Sequence, residues 1–414
     1  MSESQAQFID VDQLRVGMYV FLDLGWMAHP FSVNNFKISS DSQIDTIRGL
    51  GLKQLRWSPE RSDLPEPPAT EAPARAPQTK VDAAEQRLLV QHASLARCDR
   101  EFNQASRAYR EILAQVKTDP LAARAQTDAM VGGVVDSLLD QGESMIRLLS
   151  ENAGEASSLH AVNVTVISLL LGQSLGLDAD ALKRLGVGAL LHDIGKMELP
   201  SRIRWGQHEL SSAERGLLRQ HVEFGTEMAA AMQLDGEVRT IIAQHHEYAD
   251  GSGYPGRLRG EAQSVGARIV ALVNHYDSLC NPPNPGAAAT PHRALALMYA
   301  QSREKFDAGI LGAFIRMMGV YPPGSVVQLT DSRYALVVSV NAARPLKPRL
   351  LIHEPRVPAR HAPVIDLEQH DDLGIRASIK PVQLPRAVFD YLSPRQRMCY
   401  FFERARQLEQ RAGG

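Results

Sequence analysis

A set of five histidines and one aspartate between residues 159 and 277 has the composition of a metal site. Imidazole nitrogen binds Fe, Mn, Zn or Ni, and an ionised carboxylate has two oxygens that can bridge two such ions. Such a set, carried by one mainly helical stretch, predicts a two-metal hydrolytic site. The six candidate ligands are His160, His192, Asp193, His221, His245 and His246.

The neighbours of these residues distinguish them from the chain's other histidines, since a lone histidine on an apolar helix is more often a core or surface residue than a ligand. His192 adjoins Asp193 where a glycine ends a predicted helix, and His245-His246 precedes an acid and a glycine-rich loop. Adjacent side chains on a regular helix diverge by roughly 100°. The doublet can therefore share one site only near a helix end or across a wide two-metal centre.

The overall composition is that of a soluble globular protein with two or three domains. The net charge of -2 and a pI of about 6.7 offer no basic field for DNA. Three distant cysteines form no CxxC pair or disulfide framework, which favours a reducing cytoplasm. No signal peptide is recognised, and the most apolar stretch, Val162–Gly172, is too short to span a membrane.

Changes in composition and pattern divide the chain into five segments. The predicted segments are a small α/β domain at residues 1–63, a proline-rich linker at 64–80, connecting helices at 81–154, the metal-binding helical domain at 155–320, and a β-rich appendage with a closing helix at 321–414. Within 81–154, the charged stretch Val81–Lys117 favours a helix. A connecting or signalling helix and a solvated spacer are equally good interpretations of that stretch.

In the first segment, strands are predicted at Val16–Leu22, within residues 29–38 and at Lys53–Trp57, with a helix after Ser40. Residues 121–319 are predicted to be almost wholly helical, because their apolar residues recur at helical spacing.

Local signals set several helix positions within that stretch. Leu159–Gly172 is predicted to be an amphipathic helix, and Asp178 is predicted to cap the helix that leads into His192. Ser211–Glu214 fits a capping box for the helix that carries His221.

The last segment combines strand and helix signals. Ser325–Leu329 and Tyr334–Val340 alternate as antiparallel strands do, and Leu350–His353 is a candidate third strand. Ser393-Pro394 is predicted to start the closing helix, with serine as its cap and proline in its first position.

Two motifs resemble the signatures of one family. LLHDIGK (Leu190–Lys196) resembles the HD signature, and HHEYADGSGYPGRLRG (His245–Gly260) resembles the GYP signature, of the HD-GYP family within the HD metal-dependent phosphohydrolases. This resemblance covers about residues 155–320 and implies a mainly α chain with an HD-type helical bundle. Residues 8–60, with GMYV, HPF and FKI, resemble the small domain of unknown function that often precedes HD-GYP domains.

The resemblance implies a bacterial phosphodiesterase that opens cyclic-di-GMP to pGpG and sometimes continues to GMP. It also implies two divalent transition metals, Fe or Mn. By the match, His160, His192, Asp193 and a later acid hold one metal, and Asp193, His221, His245 and His246 hold the other. Asp193 and Lys196 are the implied catalytic residues, with Lys196 reaching the scissile phosphate, although alone it would be taken for a surface lysine after a helix end.

The namesake loop, Gly253-Tyr254-Pro255, is associated in the family with contacts to diguanylate cyclase domains. A purely structural turn is the alternative interpretation of this loop. Whether the protein forms a homodimer is left open by the sequence.

Three departures from the family pattern weaken the expected first metal site and the grip on substrate. Asn274, a neutral donor, stands where the family has its later acidic ligand, and Asp277 follows three residues on. The loop Asn281–Gly286 lacks the family's basic residues. A third-metal glutamate is replaced by Ala156, with Glu155 beside it, so two metals are expected.

These departures support a second hypothesis, in which a degenerate HD-GYP module acts by binding cyclic-di-GMP or a partner protein. An active enzyme would need basic residues from elsewhere in the chain. Arg257 and Arg259, which flank the GYP loop, are better candidates for this than Arg293 and Arg303.

Overall fold

The computed structural model of the protein describes residues 7–24, 29, 31, 33–63, 80–140, 144–150, 156–204, 209–341 and 344–404, apart from the side chains of residues 80–87, 156–157 and 404. The chain divides into two compact units, Met1–Ala83 and Ala84–Gly414. Residues 64–79 of the predicted linker lie outside the described residues. The boundaries of the five predicted segments therefore stay predictions.

The first unit is an antiparallel sheet with one helix, in the strand order β1-β4-β2-β3. Its elements are β1 Gln7–Asp10, β2 Tyr19–Phe21, β3 Asn35–Lys37, α1 Asp41–Gly49 and β4 Gln54–Ser58. Buried Ile44 and Ile47 of α1 pack in one core with Val20 of β2 and with Leu22, which follows that strand. The predicted strands and helix of this region are confirmed, whereas β1 was not predicted.

Helices dominate the second unit. Those of the described residues are α2 Lys80–Gln115, α3 Pro120–Asp140, α4 Ala156–Ser174, α5 Ala179–Leu191, α6 Ser201–Arg204, α7 Ser212–Arg219, α8 His221–Ala231, α9 Gly236–Gln244, α10 Val265–Cys280, α11 Pro291–Gln301, α12 Ala308–Met318 and α13 Arg386–Leu392. A mainly α fold with sheets near both ends of the chain is confirmed.

Helix α4 lies at the centre of the bundle, in contact with α5, α10, α12 and the last strand of the chain. Its residues from 158 to 172 are buried, with the partial exception of His160. The prediction of an amphipathic helix is therefore wrong. Neighbours on every side leave α4 no solvent face, as its nearly continuous apolar sequence allows.

The described residues of the second unit also form a seven-stranded antiparallel sheet. Its strands are β5 Ser144–Leu148, β6 Val326–Leu329, β7 Tyr334–Asn341, β8 Arg349–Ile352, β9 Val364–Asp366, β10 Ile375–Ile379 and β11 Tyr400–Arg404. The three strands predicted beyond residue 321 correspond to β6, β7 and β8 and are confirmed.

Strand β5 contradicts the expectation of continuous helix in this part of the chain. It is paired on both sides, with β7 and with β11, and its residues from 145 to 148 are buried. A short apolar run does not reveal its own period, so helix and strand cannot be told apart without the partners.

The predicted closing helix is also corrected. Helix α13 ends at Leu392, and Ser393 adopts a left-handed backbone (φ 43°), so this serine terminates one helix instead of capping another. The chain then enters β11, where Phe401 and Phe402 are buried against the bundle. Residues 405–414 lie outside the described residues.

Helix α2 is confirmed as a helix, but the solvated-spacer interpretation is wrong. Cys98, Phe102 and Ile112 are fully buried within the second unit. Ser94 donates a hydrogen bond to Glu403 of β11 (2.7 Å). Among the residues that the structure describes, none of the helices is both long and apolar enough to cross a membrane.

Candidate metal centre

The candidate ligands come from four places in the bundle, mostly at helix ends. His160 lies in the second turn of α4, and His192 caps the C-terminus of α5, directly before Asp193. His221 opens α8, and the doublet follows the end of α9, with His245 as its C-cap. The condition that the doublet lie at a helix end is therefore met.

Local signals in the sequence set these helix ends. Asp178 caps α5 by accepting a hydrogen bond from the Ala181 N–H (2.8 Å), as predicted. The predicted capping box of Ser211 and Glu214 is present, but it belongs to α7. His221 instead begins the separate helix α8 after a break at Gln220.

Gly195 fixes the turn after Asp193 against helix α8. A Cβ atom on Gly195 would lie 1.9 Å from the carbonyl oxygen of His221 and 2.4 Å from the amide nitrogen of Gly225. Only a residue without a side chain allows this close approach of the two backbones. The approach sets the position of Asp193 relative to His221.

The side chains form two groups that share Asp193. In each group, the potential ligand atoms lie within 4.8 Å of one another. One consists of His160, His192 and Asp193, and the other of Asp193, His221, His245 and His246. Asp193 Oδ2 lies 3.4 Å from His192 Nε2 and 3.6 Å from His160 Nε2. Asp193 Oδ1 lies 3.4 Å from His221 Nε2 and 3.8 Å from His245 Nε2. The two carboxylate oxygens therefore face different histidine pairs.

Three of the histidines are oriented by a backbone carbonyl of the preceding turn. Nδ1 donates in each case, which leaves Nε2 of the neutral ring without a proton and directed at the site. The bonds join His192 to Ala189 (2.7 Å), His221 to Leu218 (2.6 Å) and His245 to Ile242 (2.7 Å). His160 instead donates from Nδ1 to the buried carboxylate of Asp277 (2.6 Å).

The donor atoms fit divalent cations. Nε2 of His160 lies 3.2 Å from Nε2 of His192, and the same distance separates Nε2 of His221 from that of His245. Lone pairs this close repel unless a cation or proton lies near them. Asp193 Oδ1 is buried without a hydrogen-bond partner among the described residues, and a cation would satisfy it.

The charges and burial of the site favour an ionised Asp193 and neutral rings for His245 and His246. Burial alone would raise the pKa of Asp193, but Lys196 and the neighbouring histidines hold it well below its ordinary value. Lys196 Nζ lies 2.5 Å from Asp193 Oδ2. Burial, reinforced by the neighbouring histidines, lowers the pKa of His245 and His246 well below the ordinary value.

The GYP loop is held tightly against the doublet. The Tyr254 ring stacks on His246, with centroids 4.6 Å apart and planes at 20°. The buried carboxylate of Glu247 accepts hydrogen bonds from the N–H groups of Gly256 (2.5 Å) and Leu258 (2.9 Å). A Cβ on Gly253 would lie 2.5 Å from the Glu247 Cα, so glycine is required there. The loop therefore packs against the doublet, and the partner or substrate role of Gly253, Tyr254 and Pro255 stays a prediction.

Arg219 is a further candidate that the sequence analysis missed. Its guanidinium carbon lies 5.0 Å from the centre of the Tyr254 ring, and its side chain is exposed. The only signal in the sequence was a basic residue two positions before His221. Arg259, by contrast, lies beside Gly251 at the base of the loop.

The predicted weak ligand, Asn274, lies on α10 one turn before Asp277. Its side chain is buried, and its Oδ1 accepts a hydrogen bond from Ser278 Oγ (3.5 Å). The structure brings Asp277 to His160, whereas the ligand role of Asn274 stays a prediction. Glu155, the neighbour of the missing third-metal glutamate, lies outside the described residues.

Two models of known protein families match the chain. Residues 143–310 match the HD domain family, and residues 7–127 match a domain of unknown function, DUF3391. The fold and the site thus define an HD-type protein with an N-terminal accessory domain. The chain therefore carries an HD domain behind an N-terminal DUF3391 domain.

Two curated relatives differ in how much of the chain they cover. The cyclic di-GMP phosphodiesterase PA4108 of Pseudomonas aeruginosa is 29% identical over 357 residues, which cover 83% of this chain and 84% of that protein. The 3'3'-cGAMP-specific phosphodiesterase 2 of Vibrio cholerae is 34% identical over 137 residues, 31% of this chain and 26% of that protein. The solved structure of Bd1817 from Bdellovibrio bacteriovorus is 16% identical with a TM-score of 0.45, and the match covers 75% of this chain and 98% of that one.

Proposed function

We propose that the protein is a metal-dependent phosphodiesterase that hydrolyses cyclic-di-GMP to pGpG and GMP in bacterial signalling. The observation that carries this proposal is Asp193, whose two oxygens face separate groups of histidines. The substrate assignment is supported by PA4108, which covers most of the chain. The three cysteines are buried and form no disulfide among the described residues, which is compatible with the cytoplasmic location that we also propose.

The site would hold two divalent transition metals, with Fe or Mn as the proposed ions. Bound there, they would lower the pKa of a water molecule and neutralise charge on the phosphoryl oxygens. Asp193 supplies a negative oxygen to each position, and the anchored histidines supply Nε2 lone pairs. Lys196, already beside Asp193, contributes a positive charge for the scissile phosphate.

Arg219 is proposed to supply part of the substrate grip that the loop Asn281–Gly286 lacks. The exposed guanidinium lies beside Tyr254, whose ring contacts the metal-facing His246. A planar guanidinium offers two parallel N–H donors to a phosphate or to a guanine edge. This position suits a cyclic dinucleotide whose phosphate is at the metals.

A second candidate function is favoured by Asn274 and by the missing basic residues. An HD-GYP module with a weakened first metal would bind cyclic-di-GMP, or a diguanylate cyclase domain at the exposed edge of the GYP loop, without turnover. Asn274→Asp separates the candidates, because a carboxylate binds a dication better than an amide does. We expect this substitution to tighten the first metal and raise turnover. Reduced metal content and rate would instead mean that Asn274 is not the ligand position.

The direct test measures metal content and turnover in the same preparation. The protein is purified anaerobically, supplied with Mn or Fe, and assayed by chromatography for pGpG and GMP, with 3'3'-cGAMP as the competing substrate. About two equivalents of metal and preferred turnover of cyclic-di-GMP are expected. About one bound metal and no turnover, together with tight ligand binding, would establish the second function instead.

A further inference from the structure

Beyond the ligands themselves, we propose that the C-terminal strand β11 and its preceding turn belong to the support of the first metal. The connection runs through two positioning residues, Asn163 and Asn281, which join the backbone of residues 398–400 to Asp277 and thereby orient His160. This inference rests on the proposed function only in that it requires a metal at His160 and His192.

Asp277 is held at both of its carboxylate oxygens. It is fully buried, and Oδ2 accepts the hydrogen bond from His160 Nδ1 at 2.6 Å. Oδ1 accepts one bond from Asn163 Nδ2 and another from Asn281 Nδ2, each at 2.9 Å. Three bonds from three directions leave the carboxylate a single orientation, which is then imposed on the imidazole of His160.

Both asparagines are held in turn by the backbone before and at the start of β11. Asn163 donates to the carbonyl of Met398 (2.6 Å) and accepts from the N–H of Tyr400 (3.0 Å). Asn281 donates to the same carbonyl (2.9 Å) and accepts from the Met398 N–H (2.8 Å). Each amide therefore needs two donor hydrogens and an acceptor, a combination that neither aspartate nor a hydroxyl residue supplies.

Strand β11 is itself locked in place by buried charges. Glu403 lies 3.1 Å from Arg147 of β5 and 3.6 Å from Arg349 of β8, and all three side chains are buried. Ser94 of α2 donates to the same carboxylate (2.7 Å). The hydroxyl of buried Tyr400 donates to the carbonyl of Pro323 (3.2 Å). The backbone that holds the asparagines is therefore a fixed reference point.

This support affects the two metal positions unequally. His192 and His245 are each anchored by a carbonyl three residues earlier, in the helix that they end, and His221 is anchored by the Leu218 carbonyl of the preceding helix α7. His160 is the exception, because its anchor lies on α10 and depends on β11. Loss of the asparagines should therefore weaken the metal held by His160 and leave the metal held by His221 and His245 bound.

The test compares metal binding by Asn163→Ala and Asn281→Ala with that by the wild-type protein. Metal-free protein is titrated with Mn(II) and the bound ion is counted after dialysis. Partners of a metal-bound histidine typically contribute about ten- to a hundredfold in affinity. We expect each variant to keep one tightly bound ion and to bind the second at least about tenfold more weakly.

The matched control is Thr165→Val, which alters a buried hydroxyl on the same helix. Thr165 Oγ1 donates only within α4, to the carbonyl of Ala161 (2.8 Å), so its loss should lower the melting temperature and leave both ions bound. If Asn163→Ala does not fold, the half-buried Asn281 provides the same test. Two ions bound with wild-type affinity in a folded asparagine variant would overturn the proposal.

The outcome is independent of turnover. Wild-type protein that binds two ions but does not hydrolyse cyclic dinucleotides would contradict the proposed enzyme and leave this inference standing. Wild-type protein that binds no ion at the His160 position would overturn the inference.

Discussion

At the scale of single residues, the site depends on an asymmetric use of Asp193. Its Oδ2 faces His160, His192 and Lys196, whereas its Oδ1 faces His221 and lacks a hydrogen-bond partner among the described residues. A neutral side chain of the same shape would keep the packing but would lose the negative charge that the two proposed metal positions share.

Asp193→Asn should therefore release both metals. We expect metal content below roughly half an equivalent per chain and a loss of turnover greater than about a hundredfold, because an amide is a weak ligand for a dication. Elemental analysis and a steady-state assay measure these effects. Lys196→Ala is the control, since it should keep both metals and lose only turnover. Retention of two metals by Asp193→Asn would contradict a bridging role.

Arg219→Ala should weaken substrate binding. Loss of a charge-assisted hydrogen bond costs about 1.5–3 kcal/mol, or roughly ten- to a hundredfold in affinity. Calorimetry on a Lys196→Ala background separates binding from turnover. Arg215→Ala, one turn earlier on α7, is the matched control and should bind as the parent does. Equal affinities of the two variants would show that the grip comes from another group.

At the scale of elements, the ligands are grouped by helix ends that approach each other closely. The turn after α5 and the first turn of α8 meet at Gly195, where there is no room for a Cβ atom. Helix geometry sets the direction of each imidazole, and this contact sets the spacing between Asp193 and His221.

Gly195→Ala should destabilise the protein and reduce its metal content. Overpacking of a close contact typically costs about 1–3 kcal/mol, and separating the two backbones would move Asp193 away from His221. Gly216→Ala on α7 is the control, since nothing lies within 4 Å of a Cβ there. We expect that control to be stabilised by about 0.5–1 kcal/mol. Urea unfolding and metal analysis measure both variants. Equal stability and equal metal content of the two would show that the Gly195 contact tolerates a side chain.

At the scale of the whole second unit, the bundle and the sheet are connected through β11. Buried Glu403 joins β5, β8 and α2 at one point. Burial alone would raise the pKa of this carboxyl, but the charges of Arg147 and Arg349 lower it below its ordinary value of 4.5. The ion group is thus present at neutral pH, and its contribution is lost in acid.

Glu403→Gln should lower the free energy of unfolding by roughly 3–5 kcal/mol at pH 7, because it leaves buried Arg147 without its paired carboxylate, whereas Arg349 keeps Asp366. A group whose pKa is lowered by folding stabilises the protein above its unfolded pKa and stops doing so as the pH falls through its folded pKa. The difference from wild type should therefore shrink below about pH 4. Urea unfolding of both proteins at pH 7 and at about pH 3 measures this difference in the free energy of unfolding.

The exposed pair Arg344 and Glu368 provides the control for this experiment. Glu368→Gln should change the free energy of unfolding by less than about 1 kcal/mol at either pH, because water screens an exposed pair. A Glu403→Gln variant as stable as Glu368→Gln would show that the buried ion group contributes little.

The sequence by itself identified the candidate metal-site residues and most of the helices that carry them. Ligand chemistry resides in residue types, and caps such as Asp178 and Ser211 act within a few residues. The structure brings together the predicted set, from His160 to the doublet, although its metal binding stays a prediction.

Only the tertiary structure decided which segments became strands and what supports the site. Strand β5 pairs with β11 across more than half of the chain, and no local signal encodes a partner that distant. For the same reason, Arg219 and the link from Asn163 to Tyr400 escaped sequence analysis. A hydrogen bond between distant segments exists only once folding has brought its donor and acceptor together.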